Sequence, residues 1–97
     1  MYFAIVCNDK PDSMDLRLAN RPAHVDYLKA QGERVRVGGP FTTEDGAAMT
    51  GSLIILEAAD LAEAQAFAAG DPYNKAGLFA SVEIRPWKWV FGAPGAS

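Results

Sequence analysis

Ninety-seven residues, 49% of them apolar and with nine Lys/Arg against twelve Asp/Glu, describe one small acidic domain built on a single core. The net charge of -3 disfavours nucleic-acid and anionic-membrane partners, which need a Lys/Arg patch, and Arg34-Val35-Arg36 is too short to supply one. The lone cysteine, Cys7, admits no internal disulfide and fits a reducing compartment, so a cytoplasmic protein is expected.

In chain order, Met1 to Asn8 is apolar but carries no basic leader and is far shorter than the roughly twenty residues of a membrane span, so it reads as a buried strand. Phe3, Ile5 and Cys7 alternate with Tyr2, Ala4 and Val6, which makes both of its faces apolar. After Asp12-Ser13, a pair suited to helix capping, Met14, Leu18, Val25 and Leu28 recur at helical spacing up to Gln31-Gly32. Pro22 is predicted to split this stretch, because an interior proline loses a hydrogen bond and clashes with the preceding turn. Asn20 or Arg21 would then cap a second helix starting at Pro22, with His24 in its first turn and beside the apolar stripe.

Val35 and Val37 mark a second strand ending at Gly38-Gly39-Pro40, Leu53 to Glu57 a third, and Phe41 to Thr50 the loop between them. Asp60-Leu61-Ala62-Glu63 has the spacing of a capping box and opens an Ala-rich helix that stops at Gly70, with Leu61, Ala64, Phe67 and Ala68 as apolar members. Asp71-Pro72 is itself an ordinary helix start, an N-cap carboxylate followed by proline. Leu78 to Ile84 forms a fourth strand, Arg85 to Phe91 an aromatic tail, and residues 92–97 a flexible end to a single domain spanning residues 1–97.

This order specifies an α+β fold, a ferredoxin-like βαββαβ protomer whose antiparallel sheet carries both helices on one face. Apolar residues on both sides of the first and last strands would leave an exposed patch, so a homodimer is expected to bury the open sheet faces against each other, with Trp87, Trp89 and Phe91 sealing the contact.

His24 is the only histidine, and histidine is the side chain that ordinarily exchanges a proton near neutral pH. A carboxylate beside an imidazole orients it and fixes its tautomer, which is how a general base is held ready, and Asp71 is the candidate. Helices lying side by side permit that meeting without requiring it. Tyr73 is a candidate donor to a substrate oxygen, and Arg21 has the fork geometry for an anionic group. Ser52 lacks the nucleophile-elbow pattern and counts as a substrate contact. Cys7 reads as core, and one His with one Cys does not make a zinc site. The Gly-Gly-Pro turn lacks phosphate-loop spacing.

Arg21-Pro22-x-His24, Gly39-Pro40, Gly51-Ser52, Asp71-Pro72-Tyr73, Ala76-Gly77-Leu78 and Arg85-Pro86-Trp87-Lys88, taken in this order and spacing, resemble the YciI-like (YCII-related) family of small proteins. The resemblance covers nearly the whole chain and implies a dimeric α+β barrel with an active-site histidine-aspartate pair, carried here by His24 and Asp71. It also implies chemistry without metal or organic cofactor, like that of muconolactone isomerases and of a dehydrochlorinase of chlorinated hydroxyhydroquinones. The expected function is proton transfer, isomerisation or elimination, on a small ring compound or lactone. The competing expectation is a non-catalytic module that binds a small molecule or only dimerises.

Overall fold

The structure, a computed structural model, describes residues 1–92. Five of the six residues expected as a flexible end, 93–97, lie outside the described residues. Four strands, β1 (Tyr2–Asp9), β2 (Val35–Thr42), β3 (Met49–Glu57) and β4 (Phe79–Trp87), form one antiparallel sheet in the order β2-β3-β1-β4. Helices α1 (Met14–Ala30) and α2 (Leu61–Gly70) supply the crossovers, and a single-turn helix α3 (Pro72–Lys75) leads into β4. This is the expected α+β, ferredoxin-like arrangement. Among the described residues no helix is long and apolar enough to cross a membrane.

The sheet face under the helices follows from the register. Phe3, Ile5 and Cys7 of β1 stand opposite Leu56, Ile54 and Ser52 of β3, and with Ala64, Phe67 and Ala68 of α2 they make the core. That packing explains why an Ala-rich helix suffices: small side chains let α2 lie close to the sheet. Asp60 caps α2 as expected, accepting the Glu63 N–H at 2.9 Å, while Leu61 remains exposed. Between the helices, the Tyr27 hydroxyl donates to the Phe67 carbonyl at 2.9 Å, and a β-carbon on Gly70 would stand 2.5 Å from that hydroxyl. Gly70 thus permits the close approach that brings the middle of α1 beside the residue following α2.

Four boundary expectations need correction. Pro22 does not split α1, which runs unbroken from Met14 to Ala30. Pro22 is exposed, as is Leu18 at 48%, so the Leu18 carbonyl that loses its N–H partner faces water, and the helix keeps its inward packing. His24 is therefore mid-helix, and the inward face carries Arg17 and His24 while Leu18 points out. Ser13 occupies the N-cap position without a side-chain capping bond. β2 continues through Gly38-Gly39-Pro40 to Thr42, and β3 begins at Met49; Pro40 is tolerated because β2 is an edge strand with one side free of ladder bonds. The aromatic segment from Arg85 to Trp87 belongs to β4 and pairs with β1.

On the open face the register sets Ala4 and Val6 of β1 beside Ile55 and Leu53 of β3, with Val37 of β2 opposite Ile55 and Phe41 opposite Gly51. β4 departs from expectation by placing Ser81, Glu83 and Arg85 there. The apolar surface consequently runs over β1, β2 and β3, and β4 adds to it only Trp87, which clusters with Tyr2 and Trp89 at one end.

Candidate active site

Asp71 begins the site because it stands directly between α2 and α3. As N-cap of α3 it accepts the Tyr73 N–H on Oδ1 at 2.9 Å, and the same oxygen lies 2.8 Å from His24 Nδ1. His24 and Asp71 are buried, 8% and 2% exposed. A carboxylate there assigns the proton to Nδ1, so the other ring nitrogen, Nε2, is the one available to a ligand. The Tyr73 ring stacks on the imidazole at 3.9 Å between centroids and 15° between planes, which fixes the ring's remaining freedom.

The same wall holds a buried ion pair that sequence reasoning missed. Arg17, 2% exposed, donates from Nε and Nη2 to the two carboxylate oxygens of Asp9 at 2.7 and 2.9 Å, and from Nη2 to Ser52 Oγ at 2.9 Å. Its carbon Cζ lies 4.7 Å from the centre of the Tyr73 ring. Burial alone would lower the guanidinium pKa, but the hydrogen bonds and charge of Asp9 outweigh it and hold the group above its ordinary value. Three N–H groups face Asp9 and Ser52, so the two on Nη1 remain for a ligand, and the Ser52 hydroxyl, an acceptor from Arg17, keeps its own hydrogen to donate. Signals for both residues were present: Asp9 continues the odd-numbered inward series of Phe3, Ile5 and Cys7, and Arg17 precedes Arg21 and His24 by four and seven positions, one helix face. The expected break at Pro22 concealed the second.

These groups border a cavity of about 190 Å³ between α1 and the β2–β3 side of the sheet. Arg17, Arg21, His24, Ser52 and Tyr73 give it a polar wall, and Val25, Leu28, Pro40, Met49 and Ile54 an apolar one. A cavity of about 150 Å³ holds a benzene ring, so this one takes a single substituted ring. All five residues proposed from sequence, His24, Asp71, Arg21, Tyr73 and Ser52, therefore fall in or directly behind one cavity. Burial pushes the Tyr73 phenol up, while Arg17 and Arg21 pull it down without reversing the shift. Among the described residues no three His, Cys, Asp or Glu side chains converge as metal ligands.

Cys7 lies buried in β1, opposite Ser52 of the cavity wall. Burial first, then the charges of Asp71 and Asp9, push its thiol up to about 12 against the opposing pull of Arg17. The native protein at neutral pH is expected to give no reaction with a thiol-exchange reagent, and one equivalent per chain after denaturation. Rapid reaction of the folded protein would refute the packing drawn for β1.

The family model for the YCII-related domain matches residues 1–88 of this chain. The chain belongs to the YCII-related family. Protein YciI of Escherichia coli O6:H1 is 39% identical over 98 residues, covering 94% of this chain and all of that protein, and a protein of Haemophilus influenzae matches at the same identity and coverage. Among solved structures, this YCII-related chain is similar to the 5-chloro-2-hydroxyhydroquinone dehydrochlorinase TftG of Burkholderia phenoliruptrix AC1100, in complex with 2,5-dihydroxybenzoquinone. TM-score is 0.83 and identity 40%, over 91% of this chain and 94% of that one. An antibiotic biosynthesis monooxygenase, at TM-score 0.54 and 16% identity over 93% of this chain and 99% of its own, shares the fold alone.

Proposed function

We propose that this YCII-related protein is an enzyme that moves a proton on a small hydroxylated ring compound, leading to isomerisation or elimination. The observation that carries the reading is the buried 2.8 Å contact between His24 and Asp71, which holds Nε2 as a base beside a cavity of single-ring size. His24 Nε2 takes a proton from a ring hydroxyl or an acidic ring C–H, and the electron pair released moves into the ring and onto an oxygen. Arg17, already desolvated and held by Asp9, stabilises that oxyanion from Nη1 together with the Ser52 hydroxyl. The imidazolium, stabilised by Asp71, then returns the proton to a ring carbon. In an elimination the proton is returned to the carbon that bears the leaving group; a leaving group such as chloride then departs with its bonding pair as a second ring hydroxyl becomes a carbonyl, and the proton of that hydroxyl passes to solvent. Because TftG at 40% identity is a dehydrochlorinase, 5-chloro-2-hydroxyhydroquinone is the first compound to try. Chloride release by the wild-type protein that disappears in His24→Gln supports the reading. Binding without turnover would replace it with the non-catalytic module.

The partner we propose is a second copy, packed through the open sheet face, since Val37, 42% exposed, and Phe41 continue an apolar surface over β1, β2 and β3. Light scattering on the eluted protein is expected to give the mass of two chains, and Val37→Glu the mass of one. A wild-type mass of one chain would remove the dimer. A cytoplasmic location fits the free Cys7 thiol.

A further inference from the structure

We propose that the substrate of this site is a ring acid, a hydroxylated ring bearing a carboxylate, and that Arg21 is the residue that selects it by receiving that carboxylate at the cavity mouth. This rests on the proton-transfer reading for the position of the reacting oxygen, but its own argument is charge balance. Of the three basic side chains on the cavity wall, Arg17 is neutralised by Asp9 and His24 is hydrogen-bonded to Asp71. Arg21 is exposed, and among the described residues it has neither an ion-pair nor a hydrogen-bond partner, unlike Arg34, Arg36 and Arg85. Its side chain nevertheless lines the cavity together with Tyr73. The cavity therefore presents at its mouth one guanidinium that no side chain among the described residues pairs with.

The helix sets the distance between the two recognition points. Arg17, Arg21 and His24 lie on one face of the unbroken α1, and four residues rise by about 6 Å. A six-membered ring with a hydroxyl meta to a carboxylate fits a cavity of about 190 Å³ lined by all of these side chains, with the hydroxyl at His24, Arg17 and Ser52 and the carboxylate at Arg21. Toward the C-terminal end of the same face Val25 and Leu28 are apolar, so the ligand's charged edge is directed to one end. An exposed guanidinium is otherwise free to remain in water, and its fork geometry matches a carboxylate in two-point contact.

The test compares two rings that differ only in the carboxylate, gentisate (2,5-dihydroxybenzoate) and hydroquinone, by calorimetric Kd at low ionic strength. Wild-type protein is expected to bind gentisate about tenfold more tightly, the low end for a charge-assisted contact because solvent screens the mouth. Arg21→Gln should make the two Kd values equal by weakening gentisate alone, and Arg21→Lys should keep part of the preference. Equal wild-type affinities, a preference that survives Arg21→Gln, or no binding of either ring at millimolar concentration would overturn the proposal. None of these readings uses turnover. A protein that prefers gentisate through Arg21 but turns over no ring compound would overturn the proton-transfer reading and leave the role of Arg21 intact.

Discussion

His24→Gln is expected to lower kcat by about 10²- to 10⁴-fold, the range a positioned general base contributes, with KM little changed because glutamine still fills the wall of the cavity. The partner variant separates charge from geometry. Asp71 Oδ1 serves both His24 Nδ1 and the Tyr73 N–H, so Asp71→Asn can keep both bonds on its amide oxygen and lose only the charge that stabilises the imidazolium. Its kcat should fall while its stability stays near wild type. Asp71→Ala loses the cap as well, and should be less stable by about 0.5–2 kcal/mol in addition to its loss of activity. If His24→Gln keeps wild-type kcat, the imidazole is not the base. If Asp71→Asn is as active as wild type, the carboxylate only caps α3.

Arg17→Met is expected to produce the largest loss of stability of any single change at the site, about 3–5 kcal/mol, because it strands the Asp9 carboxylate in the interior. The side chains of Arg17 and Asp9 are 3% and 5% exposed, so water cannot take over the lost contacts. For a chain of this size that corresponds to a melting temperature lower by about 15 °C or more. The double variant Asp9→Asn/Arg17→Met tests the cause, since neutralising the stranded group should recover much of the loss in urea unfolding at 25 °C with an unchanged slope. A double variant no more stable than Arg17→Met would place the loss in packing against Tyr73 and Ser52, not in the buried charge.

Period-two alternation in β1, the Asp60 capping signal and the Asp71-Pro72 start of α3 were legible because each is a local property with one structural outcome. The pairing of His24 with Asp71 was foreseeable as a candidate only, since it depends on how closely α1 approaches α2, and that is set by Gly70 against Tyr27. Leu18 departs from the rule that hydrophobicity marks the inward face of a helix. At this site the inward positions of α1 are Arg17 and His24, and only their partners on β1 and before α3 make that burial tolerable. The ends of β2 and β4 were drawn short for a related reason: glycine and proline stop an isolated strand, but edge positions in a formed sheet accept them.

The continuity of α1 through Pro22 also limits how this protein can change over evolution. Arg17 and His24 are two helical turns apart on a single rod, and each residue inserted or deleted between them would rotate one against the other by about 100°. Substitutions at the outward Leu18 and Pro22 leave that phase untouched, whereas a change in length would carry His24 away from Asp71 even if every residue type were retained. The segment from Arg17 to His24 is therefore a ruler, and the site depends on its length more than on its outer surface.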